Sequence, residues 1–548
     1  MKNCCTLIAV CFSFFIQSQT PAWDWADRIR GDNNDEAGQR IISDANGNLY
    51  VFGAFMSDSI EIGNVVLRQA ALSTLFIAKY SPSGTVLWAD RIVTDQQGFN
   101  GVTVDSSGCI YITGVLYSGG YAATLGNVTV NHSGGSYPES FLIKVDPNGN
   151  ALWGLNTGPA LWKDIYCLHG DLYLTGYEAV SSIVLGSDTL VNHGAFDVIV
   201  AKYSLNGSVV WARNFGGPGI EYGHSITCDL SGNVYVVGTF EDSYMSFGPN
   251  TLFNASPGTA DIFFVKYDSQ GHEQWSYRAG GTDREEPTRL IYGSGGRIFM
   301  SGNFRSASAN FGSISIAPHR SSCYDVFLAE YNLQGHALWA RAFGNASDLY
   351  GYMALDDSNN IYLAGGFAGD TLDLDSIQLQ NTNSGPGSWT SYLSKFDSTG
   401  RMAWATDMPG TLGNNVWDVN IDLFGRVSIT GSYTDTIWFG GTVLVNPYVS
   451  SWHSDGFTAR LAPPPLGMND PVISNDFLVY PNPGNGRITI QSKHMMDDVT
   501  IINLNGQVIC HSATQSKVHR FELIQAGMYF VKARTGSKVM TEKIVVTH

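Results

Sequence analysis

Seven tryptophans recur along the chain at an almost constant spacing, and this repeat limits the folds that the sequence can adopt. The intervals are 63, 65, 58, 64, 64 and 65 residues, and the positions are Trp25, Trp88, Trp153, Trp211, Trp275, Trp339 and Trp404. Self-similarity at one period is typical of architectures that use a single supersecondary unit many times. The chain therefore predicts seven copies of one unit.

Each unit contains an apolar strand that ends in glycine, and the seven glycines are Gly53, Gly114, Gly176, Gly238, Gly302, Gly365 and Gly431. A glycine at one fixed place in a strand predicts a β-bulge or a close backbone approach. In four units an Asp-x-x-Gly turn precedes this strand, as at residues 44–47. Aspartate at the first position of a tight turn bonds the turn backbone. We therefore expect these aspartates to be structural and not calcium ligands.

A further strand of each unit ends in a motif such as Phe-Ile-Ala-Lys-Tyr. In six units its charged residue lies nine positions before the next tryptophan, and these residues are Lys79, Lys144, Lys202, Lys266, Glu330 and Lys395. A constant spacing that includes a turn glycine, such as Gly84, predicts a fixed hairpin. Each unit is therefore expected to be a four-stranded antiparallel sheet.

The seventh unit lacks its tryptophan strand, since Asn469 stands where the tryptophan is expected after Arg460. Residues 23–29 form a tryptophan strand without a partner in their own unit. The N-terminal strand can complete the last sheet and thereby remove exposed edges. The predicted fold class is all-β: a seven-bladed β-propeller closed by the N-terminal strand, followed by a small C-terminal β-sandwich. An open stacked array is the alternative.

Two segments carry a resemblance to a known family. Residues 232–240 (GNVYVVGTF) and 266–275 (KYDSQGHEQW) resemble the bacterial seven-bladed β-propeller repeats. The resemblance covers about residues 22–462, with a short third unit and with Gly293 in place of the turn aspartate in the fifth. It implies the fold and little about activity, because propellers host many unrelated functions.

The C-terminal residues follow another pattern, in which apolar and polar residues alternate between turn glycines, and this predicts a small antiparallel β-sandwich. The pattern is similar to the type A C-terminal sorting domain of type IX secretion substrates. The matching residues are Tyr480, Pro481, Asn482, Pro483, Gly486, Asn505, Gly506, Gly527, Tyr529 and Lys543. The resemblance implies that this domain contacts the type IX secretion machinery. A sandwich appended only for stability is the alternative.

The N-terminus has the layout of a secretory signal peptide, since Lys2 precedes an apolar run over residues 7–16. A transmembrane helix needs about 20 apolar residues, so we expect no membrane span. The predicted order is a signal peptide (1–19), the propeller (22–462), a linker (463–475) and the sorting domain (476–548). The expected location is secreted or on the outer surface of a Gram-negative bacterium, reached through the periplasm.

Composition excludes some partners and cofactors. The net charge of −17 and the low share of charged residues, 14%, do not supply the basic face that nucleic acid requires. Five cysteines follow the signal segment, and their odd number and scattered positions indicate free buried thiols without a disulfide framework or zinc site. We expect no cofactor and no metal.

The loops between units are the candidate binding surface, because most of them contain a carboxylate and an aromatic residue. The candidates at the predicted channel mouth are Asp32, Asp95, Asp164, Glu221, Asp283, Asp348, Trp162, Tyr222, Tyr350 and Trp417. An acidic ring with flat aromatic faces suits a cation or a polyhydroxylated ligand. A solvated rim with packed aromatic side chains is the alternative.

No nucleophile, metal or phosphate motif occurs in a suitable setting, so no catalytic residue is assigned. The acidic group that breaks the sevenfold repetition is Asp283, Glu285 and Glu286 beside Arg284, and paired carboxylates can serve glycoside chemistry. The predicted function is a non-catalytic binding or adhesion module for an extracellular glycan or protein. A carbohydrate-active enzyme and a structural surface-layer component are the alternatives, and the oligomeric state stays open.

Overall fold

The computed structural model describes residues 21–32, 35–69, 73–94, 98–119, 122–320, 323–344, 348–349, 351–383, 388–448, 453–462, 477–480, 487–503, 508–512, 515–523, 527–535 and 538–546. The predicted signal peptide (1–19) and linker (463–475) lie outside these ranges. The regular structure within them is β, and none of it is a helix long and apolar enough to cross a membrane. The chain divides into two compact units, Met1–Pro463 and Pro464–His548.

The described part of the first unit consists of seven repeated sheets, each with four main antiparallel strands, and of seven short hairpins. The first strand of sheet 6 is in two pieces. We number the sheets in chain order and give each hairpin with the sheet in whose sequence it lies, although it is not hydrogen-bonded to the strands of that sheet. The N-terminal strand is β1 (Trp23–Gly31). Sheet 1 contains β2 (Glu36–Ser43), β3 (Leu49–Phe55), the hairpin strands β4 (Ser59–Ile62) and β5 (Val65–Arg68), β6 (Ser73–Tyr80) and β7 (Val86–Thr94). Sheet 2 contains β8 (Gly101–Val104), β9 (Ile110–Leu116), the hairpin β10 (Ala122–Leu125) and β11 (Val128–Asn131), β12 (Glu139–Val145) and β13 (Ala151–Asn156). Sheet 3 contains β14 (Ala160–Leu168), β15 (Asp171–Glu178), the hairpin β16 (Ser182–Leu185) and β17 (Asp188–Val191), β18 (Asp197–Ser204) and β19 (Val209–Phe215).

The later sheets repeat this plan. Sheet 4 contains β20 (Glu221–Cys228), β21 (Val234–Phe240), the hairpin β22 (Tyr244–Phe247) and β23 (Asn250–Phe253), β24 (Asp261–Tyr267) and β25 (Glu273–Gly280). Sheet 5 contains β26 (Glu285–Gly293), β27 (Arg297–Phe304), the hairpin β28 (Ala309–Phe311) and β29 (Ile314–Ile316), β30 (Asp325–Asn332) and β31 (Ala337–Phe343). Sheet 6 contains β32 (Asp348–Leu349), β33 (Tyr352–Leu355), β34 (Ile361–Ala368), the hairpin β35 (Thr371–Leu374) and β36 (Ile377–Gln380), β37 (Trp389–Phe396) and β38 (Met402–Met408). Sheet 7 contains β39 (Asn414–Ile421), β40 (Val427–Tyr433), the hairpin β41 (Thr436–Phe439) and β42 (Thr442–Val445), and β43 (Asp455–Leu461).

Sheet 7 takes its fourth strand from the other end of the chain. Strand β1 pairs antiparallel with β43, and Ala26 lies opposite Ala459 in the ladder. The guanidinium of Arg460 donates hydrogen bonds to the main-chain oxygens of Pro82 (3.0 Å) and Gly47 (3.3 Å), both in sheet 1. The first strands of consecutive sheets contact one another, and β39 of sheet 7 contacts β2 of sheet 1. The first and last sheets are therefore neighbours.

The hydrophobic core lies between sheets. Each of seven buried clusters draws its residues from two consecutive sheets, and the cluster around Ile29 joins β1 of sheet 7 to sheet 1. A sheet with two apolar faces must be covered on both sides. Stacking the sheets face to face meets this requirement, because every inner sheet then has a neighbour on each side.

The repeated tryptophans connect neighbouring sheets. The indole Nε1 of Trp211 donates to the main-chain oxygen of Ser269 in the last turn of sheet 4, at 3.1 Å. Trp25, Trp88 and Trp275 make the equivalent bond to the next sheet. Within sheets, the repeated lysines lie over tyrosine rings, as Lys79 does over Tyr50 at 4.8 Å. The motifs that recur in the sequence are therefore packing motifs.

The sequence pattern did not predict the short hairpin between the second and third strands of every sheet. At six of the seven junctions in the described chain, the first hairpin strand is bridged to the outermost strand of the preceding sheet. The exception is the junction of sheets 2 and 3, where the hairpin β16–β17 forms a separate two-stranded sheet.

The second unit consists of two antiparallel sheets around a single core. One contains β44 (Phe477–Tyr480), β45 (Arg487–Met496) and β48 (Ser516–Glu522), and the other β46 (Asp498–Asn503), β47 (Val508–Ser512), β49 (Gly527–Thr535) and β50 (Lys538–Val546). Their shared core includes Val499, Tyr529 and Ile544. This is a small β-sandwich.

The thiols differ from the expectation in their burial. All five described cysteines are free, but only Cys228 is buried, and Cys109, Cys167, Cys323 and Cys510 are partly exposed. Cys109 and Cys167 lie at strand ends, where side chains reach the surface.

Candidate functional site

Five first strands contain a β-bulge at the same place, opposite the repeated glycine of the second strand. In sheet 4, Gly223 pairs with Gly238 and Ser225 with Val237, which leaves His224 as the extra residue. A Cβ on Gly238 would lie 1.9 Å from the main-chain oxygen of Tyr222. Only glycine allows this approach. In these five sheets, the strand glycine therefore marks both a β-bulge and a close backbone approach, as predicted.

The extra residues of the five bulges occupy equivalent positions but differ in chemistry: they are Gln39, Lys163, His224, Thr288 and Trp417. The glycines opposite them are the same in every sheet. The fold therefore needs the backbone shape at these positions and leaves the side chain free. Positions that the fold does not constrain, on the first strands through which consecutive sheets contact one another, are candidates for ligand contacts.

A basic and aromatic group forms around two of these bulges, and we call Lys163, Tyr177, Tyr222 and His224 the bulge cluster. Lys163 Nζ lies 5.6 Å from the centroid of the Tyr177 ring. The rings of Tyr177 and Tyr222 pack edge to face at 4.8 Å, and Tyr222 lies 6.3 Å from the ring of His224. His224 Nε2 is 3.0 Å from Thr239 Oγ1. Two tyrosine rings and an ammonium group thus share one surface.

The electrostatics of the bulge cluster leave one free positive charge. Partial burial lowers the pKa of the Lys163 ammonium, and the neighbouring charge of Arg40 lowers it further. Burial also lowers the pKa of His224 to about 4, against the opposing effect of Glu286. At neutral pH His224 is therefore an uncharged hydrogen-bonding group. Within the described chain, Lys163 has no carboxylate partner.

Charged residues of sheets 4 and 5 flank the bulge cluster. Arg284 Nε donates to Glu286 Oε1 at 2.6 Å, and Arg284 Nη2 lies 3.4 Å from Glu241 Oε1. Burial would lower the pKa of Arg284, but the bond to Glu286 outweighs it and raises the pKa. The charge of Arg284 also lowers the pKa of His224.

Next to the bulges, side chains from separate sheets meet in an ionic group. Arg289 of sheet 5 lies 3.9 Å from Asp418 Oδ1 of sheet 7. Burial would lower the pKa of Arg289, and the charges of Asp418 and Asp164 raise it overall. The two carboxylates also accept main-chain hydrogen bonds, Asp418 from Ile41 and Asp164 from Ile226. The Arg289–Asp418 pair therefore joins non-adjacent sheets, and the two main-chain hydrogen bonds join neighbouring sheets.

The sequence-predicted site residues are placed apart from one another. Tyr222 belongs to the bulge cluster, and Asp164 belongs to the ionic group with Arg289 and Asp418. Glu221 and Trp162 are 0% exposed, and the Trp162 indole donates to Thr157 Oγ1 at 3.0 Å. Trp417 is a partly exposed bulge residue whose indole donates to Ser432 Oγ. The remaining described candidates, Asp32 and Asp283, bond Ser59 and Arg305 in their own sheets.

Several candidates cannot be placed. Asp95, Tyr350 and the side chain of Asp348 lie outside the described residues. The same holds for Pro481, Asn482, Pro483, Gly486, Asn505, Gly506 and the side chains of Tyr480 and Lys543 among the sorting residues. Gly527 begins β49, and Tyr529 packs in the core of the second unit.

The acidic group considered for glycoside chemistry does not face a common space. Glu285 is 0% exposed and accepts a hydrogen bond from the main-chain nitrogen of Gly281 at 2.7 Å. Asp283 pairs with Arg305, and Glu286 pairs with Arg284. Each carboxylate has a separate structural partner. In the described ranges, no group of three or more acidic, histidine or cysteine side chains is arranged to hold a metal.

Sequence reasoning missed Lys163, Tyr177 and His224. A signal for the bulge residues exists, because they stand 13 or 14 positions before the strand glycine, as with His224 and Gly238. The residue type at these positions differs from unit to unit. As long as the pairing of the strands is unknown, this variation resembles the ordinary variation of loops. Tyr177 follows a strand glycine directly, and nothing in the sequence connects it with Lys163.

Two family descriptions match parts of the chain. Residues 478–547 match the Secretion system C-terminal sorting domain, and residues 210–239 match the Beta-propeller repeat. The chain thus combines β-propeller repeats with a type IX secretion sorting domain. Such a domain directs secretion to the cell surface or beyond in Gram-negative bacteria and implies interaction with the type IX machinery.

Curated relatives match only in part. The regulatory protein FlaEY of Caulobacter vibrioides is 32% identical over 160 residues, which is 28% of this chain and 16% of the relative. A WD repeat-containing protein of Acanthamoeba polyphaga mimivirus is 23% identical over 414 residues, 60% of this chain and 29% of the relative. The chain therefore spans less than a third of either relative.

Solved structures show distant similarity. A Dyadobacter fermentans protein of unknown function aligns at 10% identity and TM-score 0.37, covering 80% of this chain and 98% of its own. PorZ, a surface component of the type IX secretion system of Porphyromonas gingivalis, aligns at 11% identity and TM-score 0.25, covering 93% and 82%.

Proposed function

We propose that the seven sheets close into a β-propeller and that this propeller is a secreted module binding an acidic extracellular glycan. Closure is supported by the pairing of β1 with β43 and by the contact of β39 with β2. The proposed domain order is a signal peptide (1–19), the propeller (22–462), a linker (463–475) and the sorting domain (476–548). The division after Pro463 supports the end of the propeller at residue 462.

The observation that carries the proposed function is the chemical diversity of the bulge residues. Five equivalent backbone bulges hold different side chains, whereas four of the turns at the other end of the strands repeat the same aspartate and glycine. Function on a repeat fold requires positions that break the repeat. The bulge cluster is such a place, because it joins an ammonium group to two tyrosine rings.

The chemistry of the bulge cluster favours an acidic sugar. Tyrosine rings offer apolar faces with a polar edge, which suits the two-sided character of a sugar ring. The Lys163 ammonium, which has no carboxylate partner in the described chain, can bind a uronate or sulfate group through charge-assisted hydrogen bonds. Neutral His224 adds a hydrogen-bonding group, and Glu286 holds the guanidinium of Arg284, whose charge acts on His224.

Binding should depend on the bulge cluster and not on basic residues elsewhere. We expect the secreted protein to bind uronate-containing polysaccharides, and Lys163→Met or Tyr222→Ala to weaken that binding about tenfold or more, since tenfold corresponds to about 1.4 kcal/mol. Calorimetry and a glycan array would measure it. Arg401→Met, at the opposite ends of the strands, is the matched control and should bind as the native protein does.

Three results would contradict this function. An array on which the native protein binds no glycan would exclude it, as would binding that survives in both cluster variants. Release of shortened sugars from a bound polysaccharide would favour the carbohydrate-active alternative, which Glu285→Gln and Glu286→Gln would then test.

A further inference from the structure

Two junctions between sheets carry the same buried group of charges. Where sheet 4 meets sheet 5, Asp261 begins the third strand, Glu285 begins the next sheet, and Arg278 lies 2.7 Å from Asp261. The junction of sheets 7 and 1 repeats this with Asp455, Glu36 and Arg28, at 2.5 Å. The arginine is the third residue after the repeated tryptophan in both cases. It offsets part of the buried negative charge.

The junction of sheets 3 and 4 has the carboxylates but lacks the arginine. Asp197 and Glu221 occupy the two acidic positions, and Asn214 stands three residues after Trp211. A third carboxylate, Glu178, lies directly opposite Asp197 in the ladder. The amide nitrogen of Asn214 is 3.3 Å from Asp197 Oδ2 and 3.4 Å from Glu178 Oε1. A neutral amide supplies hydrogen bonds but no positive charge.

These three carboxylates are buried and incompletely bonded. Each residue is 0% exposed. Within the part of the chain that the structure describes, Glu178 Oε2, Asp197 Oδ1 and Glu221 Oε1 have no hydrogen-bond partner. A Cβ on Gly216 would lie 2.5 Å from Asp197 Oδ1 and 2.6 Å from Glu221 Oε2. The carboxylates of Asp197 and Glu221 therefore converge at the backbone of Gly216, where no side chain can enter.

The surroundings supply little compensation. The basic group in contact is His193, whose Nδ1 lies 2.6 Å from Asp197 Oδ2 and whose side chain is 58% exposed. Asp242 adds further negative charge near Glu221, and burial together with the charge of Asp197 raises the pKa of Glu221 to about 8. Burial and Asp197 likewise raise the pKa of Glu178 to about 7. Among the described residues, no lysine or arginine pairs with Glu178, Asp197 or Glu221.

We propose that the junction of sheets 3 and 4 binds one calcium ion between the carboxylates of Asp197 and Glu221, where it supplies the positive charge that an arginine supplies at the two other junctions. Calcium takes six to eight oxygen ligands from carboxylates, carbonyl groups and water in a flexible geometry. The proposed site has two carboxylate ligands. In the described chain, no group of three or more acidic, histidine or cysteine side chains is arranged to hold a metal. Glu178 contributes charge without a direct bond.

Calcium should bind the chelator-treated, full-length protein and stabilise it. Extracellular calcium modules bind with dissociation constants of about 0.1–1 mM, so about 10 mM calcium chloride should saturate the site. We expect calorimetry to give one ion from this junction and the melting temperature to rise by about 2–4 °C. Magnesium at the same concentration should cause no comparable shift, because it requires a tighter octahedral site.

Asn214→Arg is the decisive variant, because it supplies the side chain found at the two other junctions. It should fold, lose calcium binding and lose the calcium-dependent melting shift. Glu221→Gln removes a ligand and should have the same effect by another route. Glu285→Gln changes the equivalent glutamate where Arg278 is present, and its calcium response should match that of the native protein.

The assignment fails if the native protein takes up no calcium or melts at one temperature with and without it. It also fails if the calcium response persists in both Asn214→Arg and Glu221→Gln, or if magnesium produces an equal shift. Protons would then be the compensating charges at this junction.

Discussion

At the residue scale, the repeated tryptophan of one sheet contacts a turn glycine of the next sheet. Trp211 bonds the turn of the next sheet, and a Cβ on Gly271 in that turn would lie 2.9 Å from the Trp211 ring. Gly271 also has a φ of +79°. The two residues are about one repeat apart in sequence, yet each restricts what the other position can hold.

Gly271→Ala should therefore destabilise the protein more than an equivalent change elsewhere. The left-handed backbone costs an alanine about 1–2 kcal/mol, and forcing a methyl group against the indole adds about 1–3 kcal/mol. Gly425→Ala is the matched control, because Gly425 has a φ of +74° and nothing within 4 Å of the added Cβ. Unfolding free energies from urea titration would measure both. If both variants lose the same unfolding free energy, the Trp211 indole moves aside for the methyl group and the prediction is wrong.

Single residues also explain why two sheets depart from the repeated motifs. The turn of sheet 6 has Asp356 at its first position but Asn359 at its fourth, with a φ of +60°. Asparagine tolerates this conformation, so the same turn forms without the glycine that the pattern required. Glu330 replaces the repeated lysine, and Trp339 donates to it within its own sheet.

At the element scale, the start of each first strand is a junction where buried charge accumulates. Burial raises the pKa of Glu36 to about 8 and that of Glu285 to about 7, and the charges of Asp455 and Asp261 respectively act in the same direction. Both groups ordinarily have a pKa of 4.5. In the folded protein they hold protons that the unfolded chain has already released.

Stability in the presence of a chelator should fall as the pH rises from about 5 to about 8. The folded state binds more protons in this window, so the unfolding free energy decreases with pH. One pKa unit corresponds to about 1.4 kcal/mol. Melting curves across the window would measure the decline, and Glu285→Gln should flatten part of it.

Glu61→Gln, in an exposed hairpin strand, is the control for the pH series and should leave the slope unchanged. A native melting temperature that stays constant from pH 5 to 8.5 would contradict the proton assignment at Glu36 and Glu285.

At the scale of the whole molecule, sheet 7 is assembled from the two ends of the first unit. Strand β1 is hydrogen-bonded to β43, and more than 400 residues of chain separate them. The guanidinium of Arg460 continues the contact into sheet 1. Loss of this pairing would expose the edge of β43 and the buried face beside it.

A disulfide across this pairing should form without distortion. Ala26 and Ala459 are directly opposed, and opposed residues in antiparallel strands have Cα separations of about 4.5–5.5 Å, within the range of disulfides. The double variant Ala26→Cys with Ala459→Cys should oxidise and gain about 2–4 kcal/mol over its reduced form. Mass spectrometry and melting with and without reductant would test this.

Ala26→Cys alone is the control for the disulfide and should respond to reductant as the native protein does. If both introduced thiols stay reactive under oxidising conditions, the N-terminal strand is not docked in solution.

The sequence by itself determined the number of sheets, the order of their four main strands and the tight turns. These features rest on local chemistry that repeats: turn aspartates, positive-φ glycines and alternating apolar residues. Local periodicity can be read without knowledge of distant contacts.

Only the tertiary structure decided which side chains share a surface. A bulge inserts one residue and reverses the alternation of faces, so the side chain expected at the mouth, Trp162, is buried, and its neighbour Lys163 is exposed. The bulge cluster combines Lys163, Tyr177, Tyr222 and His224 from two sheets, and the calcium junction combines three strands. Such groups depend on the register between strands that are distant in sequence, and no local pattern encodes that register.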